Sequence, residues 1–342
     1  MNPFEPRKLG KTDVAVTALG LGGTGVAGMY KAVSEKDAIG TVERAWDAGV
    51  RYFDVAPFYG FGRGEIIYGR VLKHRPRDEF VLSTKVGRIV HHGKRPPGNR
   101  DPAIFPAETE TYSEFDFRPE GVTRSFEDSL QRLGLKRIDV LYIHDPDLAS
   151  SAREVMELTY PVLHQWRASG AVRAIGIGMN TVPMLVELVR EGDFDCVLLA
   201  GRYTLLDQSA LAELLPLCQR RNVSVVMGGA YNSGILATGA VPGAHYDYQP
   251  ASPAIMEKTR RIEAVCARHC LPLKAAALQF PFGHPAVVSN IPGTSSASRF
   301  DENLRALQTP IPASFWEDLK EEELLRDDAP VPTLAADQGG GA

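Results

Sequence analysis

Short runs rich in β-branched and aromatic residues alternate with helix-like stretches along nearly the whole chain, and this alternation leaves few folds open. The runs are TALGLGG, YFDV, FVLSTK, IDVLYIHD, AVRAIGIGMN, FDCVLLAGRY, VSVVMGGAYNSG and AVVSNIPG. Helical patterns separate them, among them SEKDAIGTVERAWDAG with Ser34 as N-cap, PEGVTRSFEDSLQRLG, VPMLVELVREG and a stretch from Pro253 to His269. Parallel strands need such crossovers, and eight strand and helix units close a barrel, so the expected fold is an α/β, (β/α)8 TIM barrel. RKLGKTDVAV reads as an N-terminal hairpin around Gly10 and Lys11, and ASFWEDLKEEELLR as an added C-terminal helix. Residues 1–326 are expected to form a single barrel domain and 327–342 a flexible C-terminal tail.

The connection after the third strand, residues 87–117, breaks the rhythm. It is rich in Pro, Gly, His and charge, has no sustained period, and leaves the strand beside Lys85. A loop of this length inside a compact domain usually carries function, and this one should lie over the barrel mouth as a specificity loop. His91, His92, Arg95, Tyr112 and Phe115 are its aromatic and basic members.

With 342 residues, 44% of them hydrophobic, the chain can bury one large core. A net charge of −4 and a pI near 6.1 offer no basic footprint for nucleic acid or an anionic membrane. The N-terminus lacks the apolar centre of a secretory signal, so a cytoplasmic protein is expected. Four cysteines are too few for a disulfide framework in a chain of this length, and Cys266, His269 and Cys270 in CARHC have no matching pair elsewhere to complete a zinc site. No metal is expected.

Four residues at or just beyond strand ends carry the chemistry: Asp54, Tyr59, Lys85 and His144. Barrel strand ends share one mouth, so side chains scattered in sequence converge there. An ammonium beside a phenol favours the phenolate, and a tyrosine with a lowered pKa can exchange a proton with a substrate oxygen near neutral pH.

In DVAPFYG, STK and IHD the chain resembles the aldo-keto reductase superfamily, and the likeness extends over nearly its whole length. RKLGKTDVAVTALGLGG, YFDVAPFYGFGRGE, LGLKRIDVLYIHD, IGIGMN and NSGIL are similar to the branch of D-threo-aldose 1-dehydrogenases (L-fucose dehydrogenases) and pyridoxal 4-dehydrogenases. The resemblance implies Tyr59 as general acid or base, Lys85 lowering its pKa, Asp54 holding Lys85, and His144 orienting the substrate oxygen. It also implies a nicotinamide dinucleotide bound without a Rossmann turn. Its contacts would be Gly23 by backbone, Asn180 to the carboxamide, Ser233, Gly234 and Leu236 along the pyrophosphate, and Gly293, Thr294, Arg299, Glu302 and Asn303 around the adenosine. Three positions depart from the family pattern: a serine has become Gly178, a glutamine Ala200 and a lysine Gly293. Loss of that lysine removes one cation for a 2′-phosphate while Arg299 keeps another, so NAD is slightly favoured over NADP.

The implied reaction is NAD(P)-dependent oxidation of an aldose of L-fucose, L-galactose or D-arabinose type at C1, giving the lactone. The alternative is oxidation of pyridoxal through its cyclic hemiacetal. A nucleotide-binding, redox-sensing subunit is the alternative from a different class. Tyr30, His91, Asp145 and Asp147 are the expected substrate contacts, and a small molecule is the expected partner.

Overall fold

The computed structural model describes residues 1–99, 101–102, 104–106 and 110–333. The chain begins with an antiparallel hairpin of β1 (Pro6–Lys8) and β2 (Ala15–Thr17). Gly10 takes a φ of 55° in its turn, and a Cβ there would meet the Asp195 carbonyl oxygen at 2.3 Å, so glycine lets the hairpin lie against the barrel. The barrel proper starts with β3 (Leu21–Gly22), β4 (Tyr52–Asp54) and β5 (Val81–Val86). A two-stranded ribbon of β6 (Arg88–His92) and β7 (Thr111–Phe115) interrupts it. The barrel then continues through β8 (Val140–His144), β9 (Ala174–Met179), β10 (Cys196–Ala200) and β11 (Ser224–Gly228). A short ribbon of β12 (His245–Tyr246) and β13 (Gln249–Pro250) precedes the last barrel strand, β14 (Val287–Asn290).

The eight barrel strands lie in the order β3, β4, β5, β8, β9, β10, β11, β14, all parallel to their neighbours. Parallel bridges Leu19↔Asn290 and Gly22↔Gly293 join the two ends, with Asn290 N–H donating to Ala18 O at 2.8 Å. The sheet thus closes on itself, as the alternation predicts. Inside, Tyr52, Val140, Tyr142, Cys196, Leu198 and Ile291 pack with Leu9, Val14 and Val16 of the hairpin, which plugs the end remote from the strand C-termini. Between strands and helices runs the larger apolar layer, including Phe53, Leu82, Leu141, Ile177 and Val197.

The helix signals act where the sequence places them. Ser34 Oγ accepts from Asp37 N–H at the start of helix Glu35–Ala48, and Gly49 at φ 111° ends it. Helix Pro119–Leu133 opens on proline and ends at Gly134 with φ 62°. The stretch 151–169 is not one regular helix. A capping box at Ser151 and Glu154 starts it, but Val155–Thr159 form a π-helical turn before helix Tyr160–Ser169. Pro161, without an N–H to give the preceding turn, accounts for the widening there.

The connection at 87–117 is more ordered than its composition predicts. Arg88 pairs with Phe115 and His92 with Thr111, so its two arms form a ribbon. In the segment expected to be a loose tail, Ala329 is buried and Pro330 O accepts a hydrogen bond from Tyr203 OH at 3.4 Å. Residues 334–342 of that tail lie outside the described residues. His269 of the CARHC stretch places Nε2 2.8 Å from Asp318 Oδ2 and ties its helix to helix Ala313–Glu321.

Candidate active site

The four strand-end residues meet. Asp54 ends β4, and its Oδ2 accepts from Lys85 Nζ on β5 at 2.8 Å, both side chains being buried. Lys85 Nζ also donates to Val55 O at 2.9 Å and sits 4.5 Å from the centre of the Tyr59 ring. The Tyr59 ring stands edge-on to that of His144, with centroids 5.8 Å apart. His144 ends β8, and its Nε2 lies 3.4 Å from Asp145 Oδ2, while its buried Nδ1 has no partner among the described residues.

Burial governs the charge states. It pushes the Tyr59 phenol well above its ordinary pKa, assisted by the Asp54 and Asp145 carboxylates and opposed by Arg88. This differs from the expected lowering by Lys85. The reason is the 2.8 Å pair: the Asp54 carboxylate largely cancels the ammonium field that would otherwise reach the phenol. The resting tyrosine is therefore a proton donor. Burial also drives the His144 imidazole well below its usual range, with Arg88 and Lys85 adding to the effect, so the ring is neutral. For Asp54, burial raises the carboxyl pKa, while the Lys85 ammonium and the Ser83 hydroxyl pull against it.

Tyr59, Lys85 and His144 line a cavity of about 940 Å³ at the strand C-termini. Phe58, Phe105, Phe115, Tyr112 and Tyr248 form aromatic walls, and Arg88, Asp145 and Asn180 supply polar groups. Arg88 is a central residue here that sequence reading passed over. Its side chain is only 3% exposed, lies 4.1 Å from the Phe58 ring and 4.2 Å from that of Phe115, and pairs with Asp145 at 3.0 Å and Asp101 at 3.6 Å. The available signal was its place three residues beyond Lys85 on the same strand exit; a lone arginine in a basic loop does not reveal burial. Tyr248 and Asp247, from the turn between β12 and β13, also reach the cavity, and Asp247 is held by a forked pair with Arg202 at 2.9 and 3.0 Å.

Residues 18–323 match the Aldo/keto reductase family. The chain belongs to that family. This aldo-keto reductase is 40% identical to a pyridoxal 4-dehydrogenase of Microbacterium luteolum, over 94% of its own length and 98% of that protein's. It is 39% identical to a D-threo-aldose 1-dehydrogenase of a Pseudomonas species, over 91% and 95% of the two chains. An aldo-keto reductase of Bacillus halodurans in its holo form shares the fold with a TM-score of 0.74 at 22% identity, covering 93% of this chain and 96% of that one. As an aldo-keto reductase, the protein is a nicotinamide-dependent oxidoreductase acting on CH–OH groups.

Several residues expected to meet such a cofactor lie in or close to the cavity wall. Asn180, Gly178 and Ala200 line the cavity beside Lys85. Thr24 lines it too, and a Cβ on Gly293 would lie 2.2 Å from Thr24 Oγ1, so the loop after β14 packs directly against the cavity wall. Gly23 packs beneath, where a Cβ would meet the Asp54 carbonyl oxygen at 3.0 Å. Asn232, Ser233 and Gly234 take successive φ values of 42°, 58° and 105°, and a Cβ on Gly234 would meet no atom within 4 Å, leaving open backbone for a ligand to approach. Arg299 sits in the first turn of helix Ala297–Gln308, exposed and without a side-chain partner among the described residues. A cation at a helix N-terminus suits a phosphate.

Other expected contacts of the reductase are engaged internally. Leu236 is fully buried, and its N–H donates to Tyr231 O at 3.1 Å. Asn303 donates to Thr294 Oγ1 at 3.1 Å and accepts from Tyr231 OH at 2.9 Å, tying the loop after β14 to Tyr231. Glu302 pairs with Lys274 at 2.7 Å, a cation near this loop that sequence reading did not single out.

The expected substrate contacts divide. Asp145 lines the cavity. Tyr30, His91 and Asp147 do not appear in its lining. Tyr30 is exposed and stands beside His245 at 6.2 Å; His91 stacks on Tyr112 at 4.9 Å and pairs with Glu114 at 3.2 Å; Asp147 accepts from the Thr181 hydroxyl. Strand-end position alone does not tell which face of a ribbon or turn a side chain takes.

Proposed function

We propose that this aldo-keto reductase oxidises an aldose of L-fucose, L-galactose or D-arabinose type at C1, converting the cyclic hemiacetal to the lactone. The observation that carries the reading is the buried Asp54–Lys85 pair seated beside Tyr59 and His144 on the cavity floor. Bound NAD(P) supplies the hydride acceptor. Once its own proton has left to solvent, the Tyr59 phenolate takes the proton of the anomeric hydroxyl, and neutral His144 orients that oxygen through an imidazole nitrogen. Lys85 steadies that phenolate before the transfer, and Asp54 keeps Lys85 in place. Asp145, held by Arg88, accepts from a neighbouring sugar hydroxyl. The 39% identity to the D-threo-aldose 1-dehydrogenase supports this choice.

A second reading has its own observation. Phe58, Phe105, Phe115, Tyr112 and Tyr248 give the cavity aromatic walls, which suit a flat ring such as the pyridine of pyridoxal, oxidised through the same hemiacetal chemistry. The 40% identity to the pyridoxal 4-dehydrogenase supports it. For the cofactor we favour NAD, because Gly293 offers no cation to a 2′-phosphate and Arg299 stands there without the family's lysine.

A kinetic matrix of L-fucose, L-galactose, D-arabinose and pyridoxal against NAD and NADP, followed by reduced-cofactor absorbance, tests these assignments. The expected result is the highest kcat/KM with one of the sugars and NAD. A clear preference for pyridoxal overturns the sugar assignment. Tyr59→Phe is expected to lower kcat at least about a hundredfold, the usual scale for a proton-transfer group; retention of activity overturns the role of Tyr59.

A further inference from the structure

The barrel interior beneath the cavity holds a line of hydroxyl groups where apolar packing is the rule. Tyr52, Ser83 and Tyr142 project inward from β4, β5 and β8, and all three are fully buried. The Tyr142 hydroxyl lies 3.2 Å from that of Tyr52, the Tyr52 hydroxyl 3.2 Å from Ser83 Oγ, and Ser83 Oγ 2.7 Å from Asp54 Oδ1. A carboxylate can only accept, and a serine hydroxyl has one proton to give. Ser83 therefore donates to Asp54, its own oxygen accepts from Tyr52, and Tyr52 accepts from Tyr142. Every donor points the same way, and the line ends on the carboxylate that holds Lys85.

Side chains of similar volume without hydroxyls would fill this layer with no polar groups to desolvate, as Val81, Val140, Ala174 and Val226 do around it. Three linked hydroxyls running to one oxygen of Asp54 therefore call for a reason beyond packing. That reason lies at the other oxygen, Oδ2, which accepts from Lys85. With both oxygens bonded, the carboxylate cannot rotate about its last torsion, and Lys85 Nζ is fixed between Asp54, Val55 O and the Tyr59 ring.

We propose that Ser83, Tyr52 and Tyr142 form a one-way hydrogen-bond line that positions the Asp54 carboxylate, and through it Lys85, for proton transfer at Tyr59. They are positioning residues, since none of them lines the cavity. The inference rests on Tyr59 as the proton-transfer group of the proposed reaction. The titratable and charged groups around the cluster come from every side: Lys85 on β5, Tyr52 on β4, Tyr68 from helix Arg63–Leu72 and Cys196 from β10 face Asp54, while His144, Asp145 and Arg88 face Tyr59. Removing a donor loosens the carboxylate and with it the Lys85 ammonium beside the Tyr59 ring, so the phenolate that oxidation needs forms only at higher pH.

The test is a graded series, Ser83→Ala, Tyr52→Phe and Tyr142→Phe, assayed as kcat and KM across pH with the best substrate of the kinetic matrix. Loss of kcat is expected to be about tenfold in Ser83→Ala, on the scale of one hydrogen bond to a charged group, and smaller at each step away from Asp54. KM is expected to stay within about twofold, because no substrate contact is removed. The rising limb of the kcat profile is expected to move to higher pH in the same order. Lower thermal stability with an unmoved pH limb, or losses that do not follow the order, overturns the proposal. If Ser83→Ala does not fold, the volume-conserving Tyr52→Phe decides the matter by the same readouts. An active Tyr59→Phe overturns the underlying reading instead, whereas an inactive Tyr59→Phe with unaltered Ser83→Ala and Tyr52→Phe overturns the hydrogen-bond line alone.

Discussion

At the residue scale, the site is shaped by burial more than by the charges next to one another. Tyr59 is protonated at rest because desolvation raises its pKa and the Asp54–Lys85 pair is close to neutral as a unit. Oxidation needs that proton gone, so kcat/KM for oxidation is expected to keep rising with pH beyond about pH 8, while reduction of the corresponding carbonyl falls over the same range. A pH profile in both directions checks this; an oxidation rate already flat at pH ~7 contradicts it. Arg88 shows the same principle on the substrate side. Arg88→Met keeps much of the side-chain volume between the two phenyl rings but leaves Asp101 and Asp145 without their cation. The expected cost is about 3 kcal/mol of stability, measured by denaturant unfolding, together with weakened substrate binding seen as a raised KM.

At the element scale, two connections frame the proposed binding site. The ribbon of β6 and β7 carries Arg88, Tyr112 and Phe115 to the cavity while turning His91 away from it. In the proposed reading the loop after β14 sets the cofactor preference. A Cβ at Gly293 would press on Thr24 Oγ1 at 2.2 Å, so a lysine introduced at 293 needs that hydroxyl moved or removed. We therefore expect Thr24→Ala with Gly293→Lys to improve NADP use relative to NAD at least about tenfold over Thr24→Ala alone, through one added phosphate ion pair. An unchanged ratio of the two kcat/KM values removes the argument for a weakened 2′-phosphate site.

At the scale of the whole molecule, the buried mouth makes folding depend on pH. His144 is neutral in the folded protein, with its pKa pushed well below the ordinary 6.5 by burial and by Arg88 and Lys85. Between the two values the unfolded chain binds the extra proton, so stability rises with pH there. The contribution of His144 is thus fully present above about pH 6.5 and declines below it, by about 1.4 kcal/mol for each pH unit until the folded-state pKa is reached. Unfolding midpoints of the protein and of His144→Asn between pH 7 and 5 test this; the variant is expected to lose stability less steeply. Among the described residues no helix is long and apolar enough to cross a membrane.

The sequence by itself determined the architecture and which side chains meet on the cavity floor. Eight β-rich runs spaced by helices admit a closed parallel barrel, and Asp54, Lys85 and His144 at strand ends, with Tyr59 in the loop after β4, must then share one mouth, because strand direction is common to all eight. Tertiary structure decided the rest. The arms of the 87–117 connection pair across eighteen intervening residues, from 93 to 110, and such register is set by contacts that local pattern does not contain. Arg88, Tyr248 and Lys274 gained their places from partners far along the chain, and Asn303 is tied to the distant Tyr231 in the same way. The charge state of Tyr59 also belongs to the folded state alone, since desolvation is a property of everything packed around a group and not of the residues beside it in sequence.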